Sequence, residues 1–288
     1  MNEAEQERTD HAKKTRVISS EHWQSEQIRK EVFTDSHQNQ STVIIHEPNY
    51  VPAQGLIIDF HGSGFVHRHN DNDTYFCKRI GNATDYTVLD FDYPLAPEHP
   101  FPAALDACDQ FVQHVQAHYQ DYCAAPQQRL VLIGHSAGGN LVIGTQMRAL
   151  SRQQPVATLA ILDYPALDLD TNPDDKSYPE GAVIPPEVAK RFNRFYRANV
   201  PLGNPYVSPV LAKRDALIGF PPTIIHTADH DTLAAEAENF GQHLIAANVT
   251  VTMHRYLNSL HGFTVGETGE GQASFLAMVR HIRQLNLS

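Results

Sequence analysis

The chain has 288 residues, enough to bury one large core, and its 41% hydrophobic and 19% charged residues are those of an ordinary globular protein. Its net charge of −11 argues against nucleic acid or an anionic membrane as a partner, because both call for basic patches. Cys77, Cys108 and Cys123 are odd in number and lack C-x-x-C spacing, so neither a disulfide framework nor a zinc site is expected.

Residues 1–25 are polar and weakly patterned, and are expected to form a loose, partly helical segment belonging to a small cap, with Trp23 as its anchor. The polar stretch at 1–8 does not read as a secretory signal, and no apolar run reaches membrane-spanning length, so a cytoplasmic location is the simplest expectation. Apolar runs at 43–45, 56–60, 87–91, 130–133, 159–162, 223–225 and 249–253 read as short strands suited to a sheet covered on both faces. Between them, Leu105, Cys108, Val112, Val115 and Tyr119 form one helical stripe, and Leu233, Ala237, Phe240, Leu244 and Ala247 form another. Phe275, Met278, Val279, Ile282 and Leu285 mark a C-terminal helix. The alternation predicts an α/β domain over 26–288: a mostly parallel, doubly wound sheet of about eight strands flanked by helices. Residues 166–210 break the rhythm with several Asp and Pro residues around an aromatic helix face of Val188, Phe192, Phe195 and Tyr196. An insertion of this kind either covers an active site as a cap or packs on the body of the domain, and the two are compatible.

Gly134-His135-Ser136-Ala137-Gly138-Gly139 follows the strand at 130–133 and precedes a helical run at 140–144. A Gly-x-Ser-x-Gly between strand and helix is a nucleophile elbow, where a sharp turn demands small neighbours. A serine hydroxyl needs a base, a carboxylate to orient that base, and N–H donors for the oxyanion. Among 17 histidines, His261 is singled out by its loop between the last strand and the last helix, at the sheet edge where the elbow also lies. His254 and His281 fall inside a strand and a helix. Asp229 and Asp231 both follow the strand at 223–225 in the interval between Ser and His, and spacing does not separate them: Asp231 could be only a helix N-cap, Asp229 only a loop residue. His61-Gly62-Ser63-Gly64-Phe65 leaves a strand with two glycines, which lets backbone N–H groups turn toward a substrate oxygen, joined by that of Ala137. Phe65, Phe192, Phe195 and Tyr196 are candidates for the substrate pocket.

From about residue 40 onward the chain resembles the hormone-sensitive-lipase-like branch of the α/β-hydrolase esterases, which includes bacterial acetyl esterases. His61-Gly62-Ser63-Gly64 is similar to that family's His-Gly-Gly-Gly, and residues 92–104 to its Tyr-x-Leu-Ala-Pro-Glu block. Gly134 to Gly139 resembles its elbow, Asp231-Thr232-Leu233 its Asp-Pro-Leu, and His261-Gly262-Phe263 its His block. The resemblance implies an α/β-hydrolase fold, Asp231 as the catalytic acid, and N–H groups of Ser63, Gly64 and Ala137 as the oxyanion hole. Ser63 departs from the family's Gly, His135 from its Asp or Thr, and Thr232 from its Pro. The resulting expectation is a serine carboxylesterase for short acyl esters that works through an acyl-enzyme on a small-molecule ester. It needs no metal or organic cofactor, has no stable membrane association, and is compatible with a homodimer. The same machinery serves amides or formamides. A non-catalytic receptor on this scaffold would be expected to lack a triad member, and here all three residue types are present.

Overall fold

A computed structural model describes residues 2–14, 28–49 and 51–287; Trp23 lies outside the described residues. The strands are β1 (Arg29–Thr34), β2 (Gln40–His46), β3 (Leu56–Phe60), β4 (Thr87–Asp92), β5 (Leu130–His135), β6 (Leu159–Asp163), β7 (Thr223–His230) and β8 (Val251–Leu260). They form one sheet in the order β1-β2-β4-β3-β5-β6-β7-β8, antiparallel at β1/β2 and β2/β4 and parallel elsewhere. The central strands β3, β5 and β6 are buried along their whole length, which is why they read as continuous apolar runs.

The helices are α1 (Glu3–Lys14), α2 (Asp71–Thr84), α3 (Ala103–Ala117), α4 (Tyr119–Tyr122), α5 (Ala137–Ser151), α6 (Pro186–Arg197), α7 (Ala234–Ala246) and α8 (Gly271–Gln284). Residues alternate in side along each strand, and each side builds its own core. Ile58, Phe60, Leu132 and Leu162 meet Leu105, Phe111, Leu141 and Phe240 of α3, α5 and α7 on one face. Ile57, Val88, Val131 and Ile133 meet Phe76, Ile80, Met278 and Ile282 of α2 and α8 on the other.

Four elements differ from the sequence expectation. β1 is an additional edge strand whose residues stay largely exposed, so it carries no strong apolar signal. β8 runs to Leu260 rather than 253, because an edge strand open to solvent tolerates polar residues. α2 was not apparent in the sequence; it buries Asn72, Asp73 and Thr74 among its apolar residues and is closed at its start by a capping box between Asn70 and Asp73. The N-terminal segment contains a defined helix, α1, fastened by charge: Arg8 donates to the carbonyls of Val66 (2.9 Å) and Ala96 (3.0 Å) and to both Glu98 oxygens. Glu7 and Glu3 pair with Arg191 and Arg194 of α6.

Candidate active site

The site forms at the C-terminal ends of β3, β5, β6 and β7, where their loops converge. β5 enters a turn so tight that a Cβ on Gly134 would stand 2.4 Å from the Gly138 carbonyl oxygen. One on Gly138 would stand 1.9 Å from that of Phe60. The small residues of the motif are thus fixed by close approach of β5, α5 and β3. Between them Ser136 takes φ 52° and ψ −113°, a sparsely populated conformation, and caps α5. Its side chain is presented at the helix N-terminus, where unpaired N–H groups favour negative charge.

His261 follows β8 directly. Its Nε2 lies 2.9 Å from Ser136 Oγ and its Nδ1 2.8 Å from Asp231 Oδ2. Asp231 Oδ1 accepts the Leu233 N–H at 3.0 Å, which fixes the carboxylate. Asp229 takes another direction: its two oxygens accept the N–H groups of Asn258 (3.0 Å) and Ser259 (3.1 Å) at the end of β8. Of the two aspartates left open by spacing, the structure brings only Asp231 to the imidazole.

The loop after β3 lies against the elbow, with the Cβ position of Gly62 3.5 Å from that of Ser136. Among the described residues no protein group accepts the N–H of Ser63, Gly64 or Ala137. Gly64 adopts φ +56°, and a Cβ there would strike the Phe192 ring of α6 at 2.5 Å. Ser63 keeps a negative φ, so its side chain costs no left-handed strain. Its hydroxyl accepts the Phe65 N–H (2.8 Å) and lies 2.7 Å from Tyr93 Oη, whose own proton goes to the His61 carbonyl at 2.7 Å. Ser63 therefore donates its proton to Tyr93 and has none left for a substrate oxygen.

Tyr93, which holds the Ser63 hydroxyl and the His61 carbonyl, is the site neighbour the sequence reading did not single out. Its signal lay in the block at 92–104, which here braces the His61–Phe65 turn; Ala96 N–H donates to the Phe65 carbonyl at 2.9 Å. Phe65 and Tyr196 are buried and stacked at 3.6 Å, so they support the turn from the core side. Phe192 and Phe195 are partly buried, and Phe192 lies directly over Gly64. A small cavity between the 166–210 insertion and the Asp231 loop is lined by Ala166, Leu169, Tyr178, Ile184, Ala189 and Leu233, and is not bordered by Ser136 or His261.

Buried charges lie beneath the site. Burial opposes charge on His135, but the carboxylates of Asp59 and Asp163 outweigh it and push its pKa up to about 10. Burial likewise opposes charge on His69, and Asp90 pushes it up to about 10. Burial pushes His226 and His67 down to about 3. Among the described residues no helix is long and apolar enough to cross a membrane.

Residues 57–265 match the model of a family described by its alpha/beta hydrolase fold. Esterase LipI of Mycobacterium tuberculosis is 29% identical over 229 residues, 78% of this chain and 71% of that protein. Carboxylic ester hydrolase LipN of the same organism is 32% identical over 240 residues, covering 80% of this chain and 62% of its own length. The structure of an esterase from Pyrobaculum calidifontis superposes with a TM-score of 0.82 at 26% identity, covering 91% of this chain and 86% of that one.

Proposed function

The chain belongs to the α/β-hydrolase family, in its hormone-sensitive-lipase-like branch of carboxylic ester hydrolases, and from that premise we propose that it cleaves short-chain acyl esters with Ser136 as nucleophile. The observation that carries the reading is the unbroken relay from Asp231 through His261 to Ser136, at 2.8 and 2.9 Å, beside three backbone N–H groups that nothing among the described residues accepts.

His261 Nε2 takes the Ser136 proton as Oγ attacks the ester carbonyl. Charge builds on the carbonyl oxygen, and the N–H groups of Ser63, Gly64 and Ala137 stabilise it without reorganising. The imidazolium is stabilised by Asp231 and then protonates the leaving alcohol. A water follows the same path in reverse, and hydrolysis of the acyl-enzyme frees Ser136.

The preference for short chains rests on what surrounds the nucleophile. Ser136 is 7% exposed, Phe192 of α6 closes over Gly64, and α1 meets α6 through ion pairs. Each methylene that finds an apolar wall adds about 0.8 kcal/mol, so kcat/KM is expected to peak at acyl chains of roughly two to six carbons. The test is an aryl-ester series of increasing acyl length run beside matched anilides. Esters should far exceed anilides and activity should fall for long chains. Activity that rises steadily into long-chain emulsions, with interfacial activation, contradicts the short-chain reading; anilides cleaved as fast as esters contradict the ester preference.

A further inference from the structure

Beneath the elbow, on the sheet face covered by α2 and α8, a chain of buried polar groups takes no part in the steps above. His135, between Gly134 and Ser136, is 1% exposed. Its Nε2 lies 3.2 Å from Asp59 Oδ1 at the end of β3, and its Nδ1 lies 2.9 Å from Asp163 Oδ2 at the end of β6. Asp163 makes two more hydrogen bonds, and His226 Nδ1 lies 4.0 Å from its Oδ1. Its Oδ1 accepts from Thr264 Oγ1 at 3.0 Å, and its main-chain oxygen accepts the Ser136 N–H at 2.9 Å. Beyond Thr264, Ser274 Oγ of α8 lies 2.9 Å away, and His226 Nδ1 of β7 lies 2.8 Å from Ser274.

One assignment of protons satisfies the chain. His226 Nδ1–H donates to Ser274, Ser274 to Thr264, and Thr264 to Asp163, while His135 donates Nδ1–H to Asp163 and points Nε2–H at Asp59. The chain joins the residue before the nucleophile to the loop that carries His261, in which Thr264 lies three residues further on.

We infer that His135, held as an imidazolium between Asp59 and Asp163, together with Asp163 and Thr264, is a positioning device that locks the nucleophile elbow to the His261 loop and so sets the Ser136–His261 distance. The inference rests on the proposed roles of Ser136 and His261. Two arguments carry it. The first is strain: Ser136 holds a backbone conformation that persists only when its surroundings over-determine it. Asp163 supplies that restraint from two directions, through its own carbonyl to Ser136 and through its carboxylate to His135. The second is charge: Asp59 is 1% exposed and neither of its oxygens accepts a hydrogen bond that meets normal geometry. A buried carboxylate needs a counter-charge, and His135 stands next to it. Doubly protonated, the ring bonds Asp163 through Nδ1–H and sets Nε2–H against the Asp59 carboxylate. The other titratable groups near this cluster are Asp90 of β4, Asp73 and Cys77 of α2, His226 of β7, Tyr164 after β6, and His261, which faces Asp163. The raised pKa of His135 agrees with this arrangement.

Thr264 is the place to test it, because Thr264→Val removes one hydroxyl and leaves the buried ion pairs intact. In the full-length protein, shown to be folded by circular dichroism, Thr264→Val should lower kcat at least about tenfold with KM within about twofold, since small misplacements of reacting groups act on the chemical step. Thr264→Ser, which keeps the hydroxyl, should recover most of the loss. A folded Thr264→Val with wild-type kcat, or a loss that Ser does not recover, overturns the inference. The double variant Asp59→Asn/His135→Asn, which removes opposite charges together, should also lose kcat more than KM; unchanged kcat in a folded double variant overturns the role of His135. Asp59, Cys77 and Asp90 present ligand atoms within 4.8 Å of one another. Elemental analysis of the purified protein should find no stoichiometric zinc, and one equivalent would overturn the imidazolium as the counter-charge. Ser136→Ala separates the two levels: if it stays active the proposed nucleophile is wrong, whereas if it is inactive while Thr264→Val is normal, only the positioning device fails.

Discussion

Asp231→Asn is nearly isosteric, yet the structure sets which way the new amide must face. Leu233 N–H stands 3.0 Å from Asp231 Oδ1 and requires an acceptor there. The amide oxygen therefore occupies that side, and the amide NH2 faces His261 Nδ1, now at 2.8 Å across a hydrogen bond the other way round. Nδ1 must give up its proton to accept this bond, so the neutral ring carries its proton on Nε2, against Ser136 Oγ at 2.9 Å. In that tautomer His261 cannot take the serine proton. A wrong-tautomer histidine lowers kcat by about 10⁴, or ~5.5 kcal/mol of barrier. Asp229→Asn provides the contrast: it weakens one of two bonds to the end of β8, costs about 1 kcal/mol of stability, and leaves kcat within about tenfold. Steady-state hydrolysis of a short aryl ester by both folded variants decides. A kcat for Asp231→Asn within tenfold of the parent, or a larger loss at Asp229, would refute the argument.

Three further outcomes are expected. Ser63→Gly should stay within about tenfold of the parent because the backbone donor is kept, while a folded Ser63→Pro should lose at least about a hundredfold with that N–H deleted; near-normal kcat in the Pro variant, checked for folding by circular dichroism, removes Ser63 from the oxyanion hole. Gly138→Ala places a methyl 1.9 Å from the Phe60 oxygen and should give protein that is insoluble or inactive, whereas soluble material with parental kcat would mean the elbow yields easily. The melting temperature should peak near pH 6.5 and fall on both sides. Burial holds His67 and His226 at about 3, so the unfolded chain binds protons there that the folded chain refuses, and their contribution is lost as pH falls from 6.5 toward 3. His69 and His135 are opposed by burial but carried up to about 10 by Asp90 and Asp59, so their contribution is full below 6.5 and is lost as pH rises toward 10. Each group changes stability by up to ~1.4 kcal/mol per pH unit inside its window, and a melting temperature flat from pH 6.5 to 10 would contradict the raised pair.

What the sequence reveals about this site follows from where residue identity is constrained by packing. Gly134 and Gly138 are legible because backbone from another element stands where a side chain would be, and His261 because it directly follows β8 in the connection to α8. The choice between Asp229 and Asp231 is not legible in spacing, since the two differ only in which way the chain turns after an irregularity in the β7/β8 pairing between Ala228 and His230. The resemblance favoured Asp231 without giving that reason. What the Ser63 hydroxyl does is not legible locally, since the position of Tyr93, thirty residues away, commits its proton. α2 and β1 escaped notice for opposite reasons: one buries polar residues inside the fold, and the other leaves its residues in solvent. Asp59, Asp90 and Asp163 stand in apolar strand runs, where sequence gives no sign that His135 and His69 sit beside them.

The central claim is that Ser136 attacks the ester, and covalent capture tests it most directly. The protein is treated with an aryl organophosphate, digested and mapped by mass spectrometry while ester turnover is followed in the same sample. One adduct per chain should appear on Ser136, in step with the loss of turnover, and Ser136→Ala should take up no label. An adduct on a different residue that tracks the loss of activity, or full turnover in a protein labelled at Ser136, would contradict the account.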